Sequence, residues 1–443
     1  MSVKLSVSRW LGIDSLGPPL WHFQFSFFIL TVGGRCTQLA VAWWALAATH
    51  SATVFSYMVA CAIAAEVLAK PLLGWVGDRH DKIRVLLICN VVNVIGAFAL
   101  WLLAAIGWFQ PVLVGALMVV GSLAVGLRDP LQSSIIPALV DKERVALAFR
   151  SKSIMSSLAL LIGPGLAGAL VSIWGVGTAL ALEVAAATIA AALAWKLLAI
   201  PQRFANRSSV PHMGWLSMIV SGFKTVYRVR TEFFLALLAM VVNFALYPFF
   251  SILVPLFVKN SLSMPAWYVG VLDASFGLGI LFGSYLGIGW LSKWLPRDAS
   301  IALGFALLGG NLFVTGRLLP PWLIPAAFAA GGMGLMLINV HAATVRTLAT
   351  PASHRNRMAA TVAFFSSAAS PVGSMTIGML LGSFSLSGIM MVLGGMVCVL
   401  AMTVFFIPYF KQVMWMPDDR LDGVYAEIYP NAFEDPAQGR RKT

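Results

Sequence analysis

An all-α membrane protein of twelve transmembrane helices, arranged as two matched six-helix bundles, is the fold class this sequence predicts, and three observations predict it. Of the 443 residues, 59% are hydrophobic and only 11% charged, whereas a soluble protein needs roughly a quarter charged residues to coat its surface. Uncharged runs of the roughly 20 residues that cross a bilayer recur along the chain. The longest polar interruption, Ile200 to Thr231, divides those runs into two stretches of nearly equal length. This composition excludes a secreted disulfide scaffold, a soluble enzyme and a disordered regulator.

The runs fall near 20–49, 52–74, 84–107, 111–137, 148–174 and 177–199, then near 232–258, 266–291, 299–318, 321–349, 357–383 and 386–410. Backbone polar groups must be satisfied internally in lipid, so each run predicts a helix. Tight joints, such as Gly107 to Pro111 and Trp174 to Thr178, make consecutive helices antiparallel neighbours. The division is therefore 1–199 for the N-terminal bundle, 200–231 for a cytoplasmic linker with Pro201 and Pro211, 232–410 for the C-terminal bundle and 411–443 for a cytoplasmic tail. The tail has six acidic residues, Asp418, Asp419, Asp422, Glu427, Glu434 and Asp435. Its apolar surface is too small to fold alone, which predicts a mobile extension.

All but five of the 30 Lys and Arg lie at the N-terminus, in the loops after even-numbered spans or in the span ends that border those loops, or in the tail; Lys259 and Arg317 lie on the opposite side, and Arg35, Lys70 and Arg128 lie deeper within spans. The positive-inside rule then puts both termini in the cytoplasm. Because these basic residues flank apolar runs, the net charge of +13 reflects membrane orientation and not a nucleic-acid partner. Residues 1–19 lack the apolar core and exit site of a cleavable signal, so span 1 is expected to serve as the targeting signal. Cys36, Cys61, Cys89 and Cys398 sit inside apolar runs with no disulfide or metal spacing. No metal and no cofactor is expected.

The halves resemble each other locally: Gly74-Trp-Val-Gly-Asp-Arg corresponds to Gly289-Trp-Leu-Ser-Lys-Trp, and Gly163-Pro-Gly-Leu-Ala-Gly to Ser370-Pro-Val-Gly-Ser. Between spans 2 and 3, Gly74 and Gly77 allow close backbone approach, while Asp78, Arg79, Lys82 and Arg84 can form charge-assisted pairs that latch one conformation. In span 5, Gly163, Pro164 and Gly168 combine small-residue packing with a lost backbone hydrogen bond.

On these residues the chain resembles the major facilitator superfamily. The loop from Gly74 to Arg84 looks like its signature loop, departing at Asp81, where glycine is usual, and in the second copy at Ser292-Lys293. Ile136-Pro-Ala-Leu-Val-Asp-Lys-Glu-Arg and Gly222-Phe-Lys look like its enterobactin-exporter and macrolide-efflux-like branch of drug:proton antiporters. Gly163-Pro164-x-x-x-Gly168 is similar to the antiporter motif, with Ala159 and Ala167 where glycines are usual. The resemblance implies alternating access between two bundles, with spans 1, 4, 7 and 10 lining the cavity, and an acidic residue late in span 4 pairing with the signature-loop arginine. That makes Asp129 with Arg79, beside Arg128, a candidate conformational lock.

Charges at bilayer depth cost several kcal/mol unless they are paired or face water, so those inside spans are functional candidates. Arg35, flanked by Gly33 and Gly34 near the middle of span 1, cannot easily reach a headgroup and is the leading substrate-cavity residue. Asn243, Tyr247, Pro248 and Pro255 suggest a kinked span 7 with polar groups turned inward, so Asn243, Tyr247 and, in span 10, His341 are further cavity candidates. Asp273, Glu66 and Asp129 are candidates for carrying a coupling proton, as carboxylates held away from bulk water. Glu66 and Lys70 also stand four apart in the order that favours an intrahelical pair. Glu183 has no evident partner in the sequence. Trp43 and Trp44 suit an interfacial belt.

The chain has no nucleotide-binding loop, His-Glu-x-x-His or Gly-x-Ser-x-Gly motif, so an enzymatic role has no visible home. The expectation is a monomeric, multi-pass protein of the bacterial inner membrane, in contact with membrane lipid, that exports a small molecule by alternating access in exchange for protons. The resemblance implies a siderophore or an amphipathic drug-like compound, and hence a place among multidrug-resistance and siderophore-export proteins. A proton-coupled importer of the same fold and a lipid flippase are the alternatives.

Overall fold

The computed structural model describes residues 17–141, 144–199, 215–284, 294–317, 319–351, 354–417 and 420–433. Six helices make up the first half: α1 Pro18–Thr49, α2 Ala52–Arg79, α3 Lys82–Ala105, α4 Pro111–Leu139, α5 Val145–Trp174 and α6 Val176–Leu198. Prolines open α1 and α4, where their missing N–H costs nothing. Ser51 and Asp81 cap α2 and α3; the Asp81 carboxylate accepts 2.9 Å hydrogen bonds from both Ile83 N and Arg84 N. A carboxylate at a helix N-terminus is a favourable cap, which is the physical use of the residue that departs from the family's glycine.

The second half contains α7 Trp215–Arg228, α8 Arg230–Ser261, α9 Trp267–Phe282, α10 Arg297–Gly316, α11 Ile324–Ala349, α12 Arg355–Leu380 and α13 Leu386–Thr403, then α14 Phe410–Trp415 and α15 Val424–Ile428. Among the described residues ten helices are long and apolar enough to cross a membrane, and Trp267–Phe282 is a shorter apolar helix. With α12 these account for all twelve expected spans. The kink expected in span 7 takes a definite form. Directly after Pro248, and just beyond Pro255, α8 winds into π-helical turns at Phe249–Leu253 and Phe257–Ser261, because each proline removes one hydrogen bond from the helical ladder.

The chain forms two compact units. One contains the first six helices together with Phe250–Ala274; the other contains the remainder of the second half. In the first unit α1 packs on α5 and α6, α3 on α4 and α6, and α2 on α4. In the second unit α8 packs on α12, and α10 on α11 and α13. The pairings 1 with 5, 3 with 4 and 3 with 6 thus recur as 7 with 11, 9 with 10 and 9 with 12 in span order. This repeats within each unit what local sequence similarity suggested.

Two segments differ from expectation. Within the linker, residues 215–228 form a helix, because apolar residues at 215, 216, 219, 220, 223, 226 and 227 repeat with helical spacing between the polar ones. The tail, expected to be mobile, is folded over its described residues, 411–417 and 420–433. It does not fold alone: Phe410, Val413, Met414, Leu421, Val424 and Tyr425 are buried against the second unit. Its backbone is also fastened there, by Gly423 N donating to Leu348 O and by Arg228 and Arg297 donating to the carbonyls of Asn431 and Met416. Arg355 pairs with Asp422 at 2.6 Å.

Candidate functional site

The first unit brings Arg35 and Asp273 to one small cavity, although 238 positions separate them in sequence. Its lining includes Arg35, Gln38, Pro164, Ser251, Pro255 and Asp273. The space among these side chains has room for about one water molecule. Arg35 Nη1 donates to Gln38 Oε1 at 3.1 Å, one helical turn along α1. Asp273 Oδ1 is buried, has no hydrogen-bond partner, and lies within electrostatic reach of Arg35. A cation and an unspent carboxylate oxygen thus share one pocket with the polar Gln38 and Ser251, its remaining lining being proline and apolar side chains.

The glycines of α5 create this arrangement. A Cβ on Gly163 would stand 3.0 Å from Arg35 Cγ and 3.1 Å from its Cβ, so the glycine makes room for the arginine stem. A Cβ on Gly168 would stand 2.8 Å from both Ala266 O and Trp267 Cα, and one on Gly270 would stand 2.5 Å from Pro164 O. Trp267 N donates to Ser172 Oγ at 2.8 Å. The start of α9 therefore lies backbone to backbone on the Gly163-Pro164-x-x-x-Gly168 segment, three residues before Asp273. Small residues at this spacing do what the sequence suggested, and their partner is the segment that carries the pocket's carboxylate.

The other candidates are placed as follows. Asn243 Nδ2 donates within its own helix to Ala239 O, and Tyr247 is partly exposed. His341 is buried in the second unit with Nε2 lacking a partner. None of these three lines the Arg35–Asp273 pocket. Glu66 is bound by Lys70 at 2.9 Å, the intrahelical pair expected from their order. Arg128 is buried on α4 with its Cζ 5.8 Å from the Phe27 ring centroid, and Lys152 Nζ lies 6.0 Å from the same ring. Beside this ring Gln24 accepts from Ser151 Oγ at 2.6 Å and donates to Ala148 O at 2.9 Å. Asp129 is half-buried and interacts electrostatically with Arg128 and Lys70.

Of the proposed latch, the backbone of Gly74, Gly77, Asp78 and Arg79 is helical, continuing α2, while their side chains lie outside the described residues. Ser292 and Lys293 also lie outside them. Arg84 is exposed and Lys82 half-buried. At the other end, Trp43 is covered by Lys259, 5.3 Å from its ring, and Trp44 meets Phe109 edge-on at 4.8 Å. Sequence reasoning missed Gln38 and Ser251 in the pocket. Gln38 was visible as a polar residue three positions from Arg35, but Ser251 had no periodic signal because the π-helical turn shifts its face.

A family model described as Major Facilitator Superfamily matches residues 24–374. The chain is 21% identical over 281 residues to macrolide efflux protein A of Streptococcus pyogenes, covering 63% of this chain and 68% of that one. It is 26% identical to an uncharacterized MFS-type transporter of Sinorhizobium fredii, covering 87% and 93%. To the staphyloferrin A transporter of Staphylococcus aureus it is 24% identical, over 51% and 56%. Among solved structures, the nucleoside transporter NupG matches with a TM-score of 0.68 at 13% identity, covering 90% and 100% of the two chains. A D-xylose-proton symporter matches with 0.66 at 15% identity, covering 89% and 97%. These structural likenesses concern the fold.

Proposed function

The chain belongs to the Major Facilitator Superfamily, and on that premise we propose that it exports a small molecule, a siderophore or an amphipathic drug-like compound, from the cytoplasm in exchange for protons. The observation that carries this reading is the pocket lined by both Arg35 and Asp273, whose Oδ1 has no hydrogen-bond partner. When this cavity, which now holds about one water, widens to admit cargo, anionic or carbonyl groups gain charge-assisted hydrogen bonds from Arg35, and hydroxyl or amine donors gain an acceptor in ionised Asp273. A proton arriving on Asp273 removes the charge of that acceptor and turns one oxygen into a donor, which weakens the hold on cargo. Because proton and cargo compete for one carboxylate, their movements are opposed, as antiport requires.

The efflux and siderophore names of the relatives support the direction and cargo class, as does the Gly163-Pro164-Gly168 segment packed beside the pocket. The charge bias supports placement in the bacterial inner membrane with both termini cytoplasmic. The test is transport in vesicles of both orientations. Export predicts accumulation in everted vesicles driven by an inward-acid pH difference, loss of that pH dependence in Asp273→Asn, and loss of cargo binding in Arg35→Ala. Accumulation in right-side-out vesicles instead would make the protein an importer, and lipid movement without solute transport a flippase.

A further inference from the structure

Glu183, on α6, is 5% exposed, and its Oε2 has no hydrogen-bond partner. It lies against α1 at Gly33: a Cβ built on Gly33 would run into Glu183 Oε2, and would stand 3.2 Å from its Cδ and 3.0 Å from Ala186 Cβ. The neighbouring Gly34 meets nothing within 4 Å. Of this glycine pair, only Gly33 is needed for space, and what it accommodates is the carboxylate. Two residues later on α1, and so roughly across the helix, Arg35 reaches the pocket.

The titratable and charged groups within reach of Glu183 come from two helices. From α1 comes the Cys36 thiol, and from α4 comes Arg128, each within electrostatic reach. The described cation of α5, Lys152, is turned to Phe27. Arg128 is itself 7% exposed, and its Nε has no hydrogen-bond partner. An acid and a base thus stand buried in one bundle with polar atoms unspent and no ion pair between them. An ionised carboxylate without hydrogen bonds in such surroundings costs several kcal/mol, whereas a neutral carboxylic acid costs only a fraction of that.

We propose that Glu183 is a second proton-carrying residue of the first unit, beside Asp273: it holds a proton while packed on Gly33 and releases it when it moves into contact with Arg128. The O–H bond of the acid breaks, the proton passes to water, and the carboxylate charge left behind is balanced by the Arg128 guanidinium. This inference rests on the proton-exchange reading above for its role in transport, but not for the protonation itself.

The experiment therefore has two arms on the full-length protein. Infrared spectroscopy of the purified protein in lipid at neutral pH reads the carbonyl stretch of protonated carboxyl groups. Glu183→Gln is expected to lose a band that Asp273→Asn retains, Gly33→Ala to shift that band, and Gly34→Ala to leave it in place. Identical bands in wild type and E183Q would mean that Glu183 is ionised and would overturn the proposal; if E183Q does not fold, an unshifted spectrum in G33A does so. In proteoliposomes, with radiolabelled erythromycin as the probe, E183Q is expected to keep cargo exchange while losing acceleration by a pH difference about tenfold or more. Wild-type transport indifferent to the pH difference would defeat the antiport reading and leave the infrared result to decide Glu183. PH-driven transport undiminished in E183Q would defeat Glu183 alone.

Discussion

The hydroxyl of Tyr425 donates a 2.9 Å hydrogen bond to Glu232 Oε1 across 193 residues of chain. The other carboxylate oxygen, Oε2, takes Arg346 Nε at 2.6 Å. Glu232 is fully buried in the first turn of α8, and Arg346 lies in the last turn of α11. One carboxylate thus joins the tail to the ends of two helices. Tyr429 adds a second tie by bonding to Thr231, whose Oγ1 also donates to Pro408 O.

Removing the tail's contribution to this knot tests its weight. Tyr425→Phe keeps the ring but leaves Oε1 of a buried carboxylate short of a partner, which should cost about 1–3 kcal/mol. Thermal unfolding in detergent measures it, and unchanged stability would show that water replaces the hydroxyl.

Breaking the ion pair should cost more. Arg346→Ala strands the Glu232 charge, with an expected loss of about 3–5 kcal/mol, while the double change Glu232→Gln with Arg346→Met should recover much of it. A double-mutant cycle on the unfolding midpoint reads the difference. Equal losses in the single and double variants would contradict this account.

Alkaline pH offers an independent reading of Tyr425. Burial, and then the neighbouring Glu232 carboxylate, push its phenol well above the ordinary value of 10.0. Above pH 10 the unfolded chain releases a proton that the folded chain retains, so this group's stabilisation is complete below that pH and declines as pH rises further. Wild type should therefore lose stability with rising pH more steeply than Y425F between pH 10 and the onset of alkaline unfolding. Parallel curves would show that Tyr425 ionises freely.

The contact between α5 and α9 makes a prediction about packing. Gly270→Ala places its methyl against the Pro164 carbonyl oxygen and the Gly165 backbone, neither of which can rotate aside. A cost of about 1–3 kcal/mol is expected, with loss of transport as the pocket is pried apart. Gly165→Ala has open space around its Cβ and should be neutral or mildly stabilising.

For the lock near the end of span 4, Asp129→Asn should reduce transport while leaving the amount of folded protein unchanged. Size-exclusion profiles and vesicle uptake measure the two separately. Full transport in D129N would remove Asp129 from the gating machinery.

By itself the sequence determined the fold class, the twelve spans, and the residues whose charge inside lipid demands an explanation. These are consequences of local composition: an uncharged run of sufficient length has no alternative to a helix in a bilayer, and Glu66 with Lys70 pair because four residues make one helical turn. Only the tertiary structure decided which charges meet. Arg35 and Asp273 come together because glycines in α5 admit the start of α9 at backbone distance. Glu183, which the sequence left without a role, acquires its setting from Gly33 on another helix. The tail lacked the apolar surface to order itself and draws it from helices of the second unit, α10 and α11 against α14, a loan that no window along the chain can reveal. Periodicity reports what a segment can do alone, whereas a buried charge depends on neighbours that arrive from anywhere in the chain.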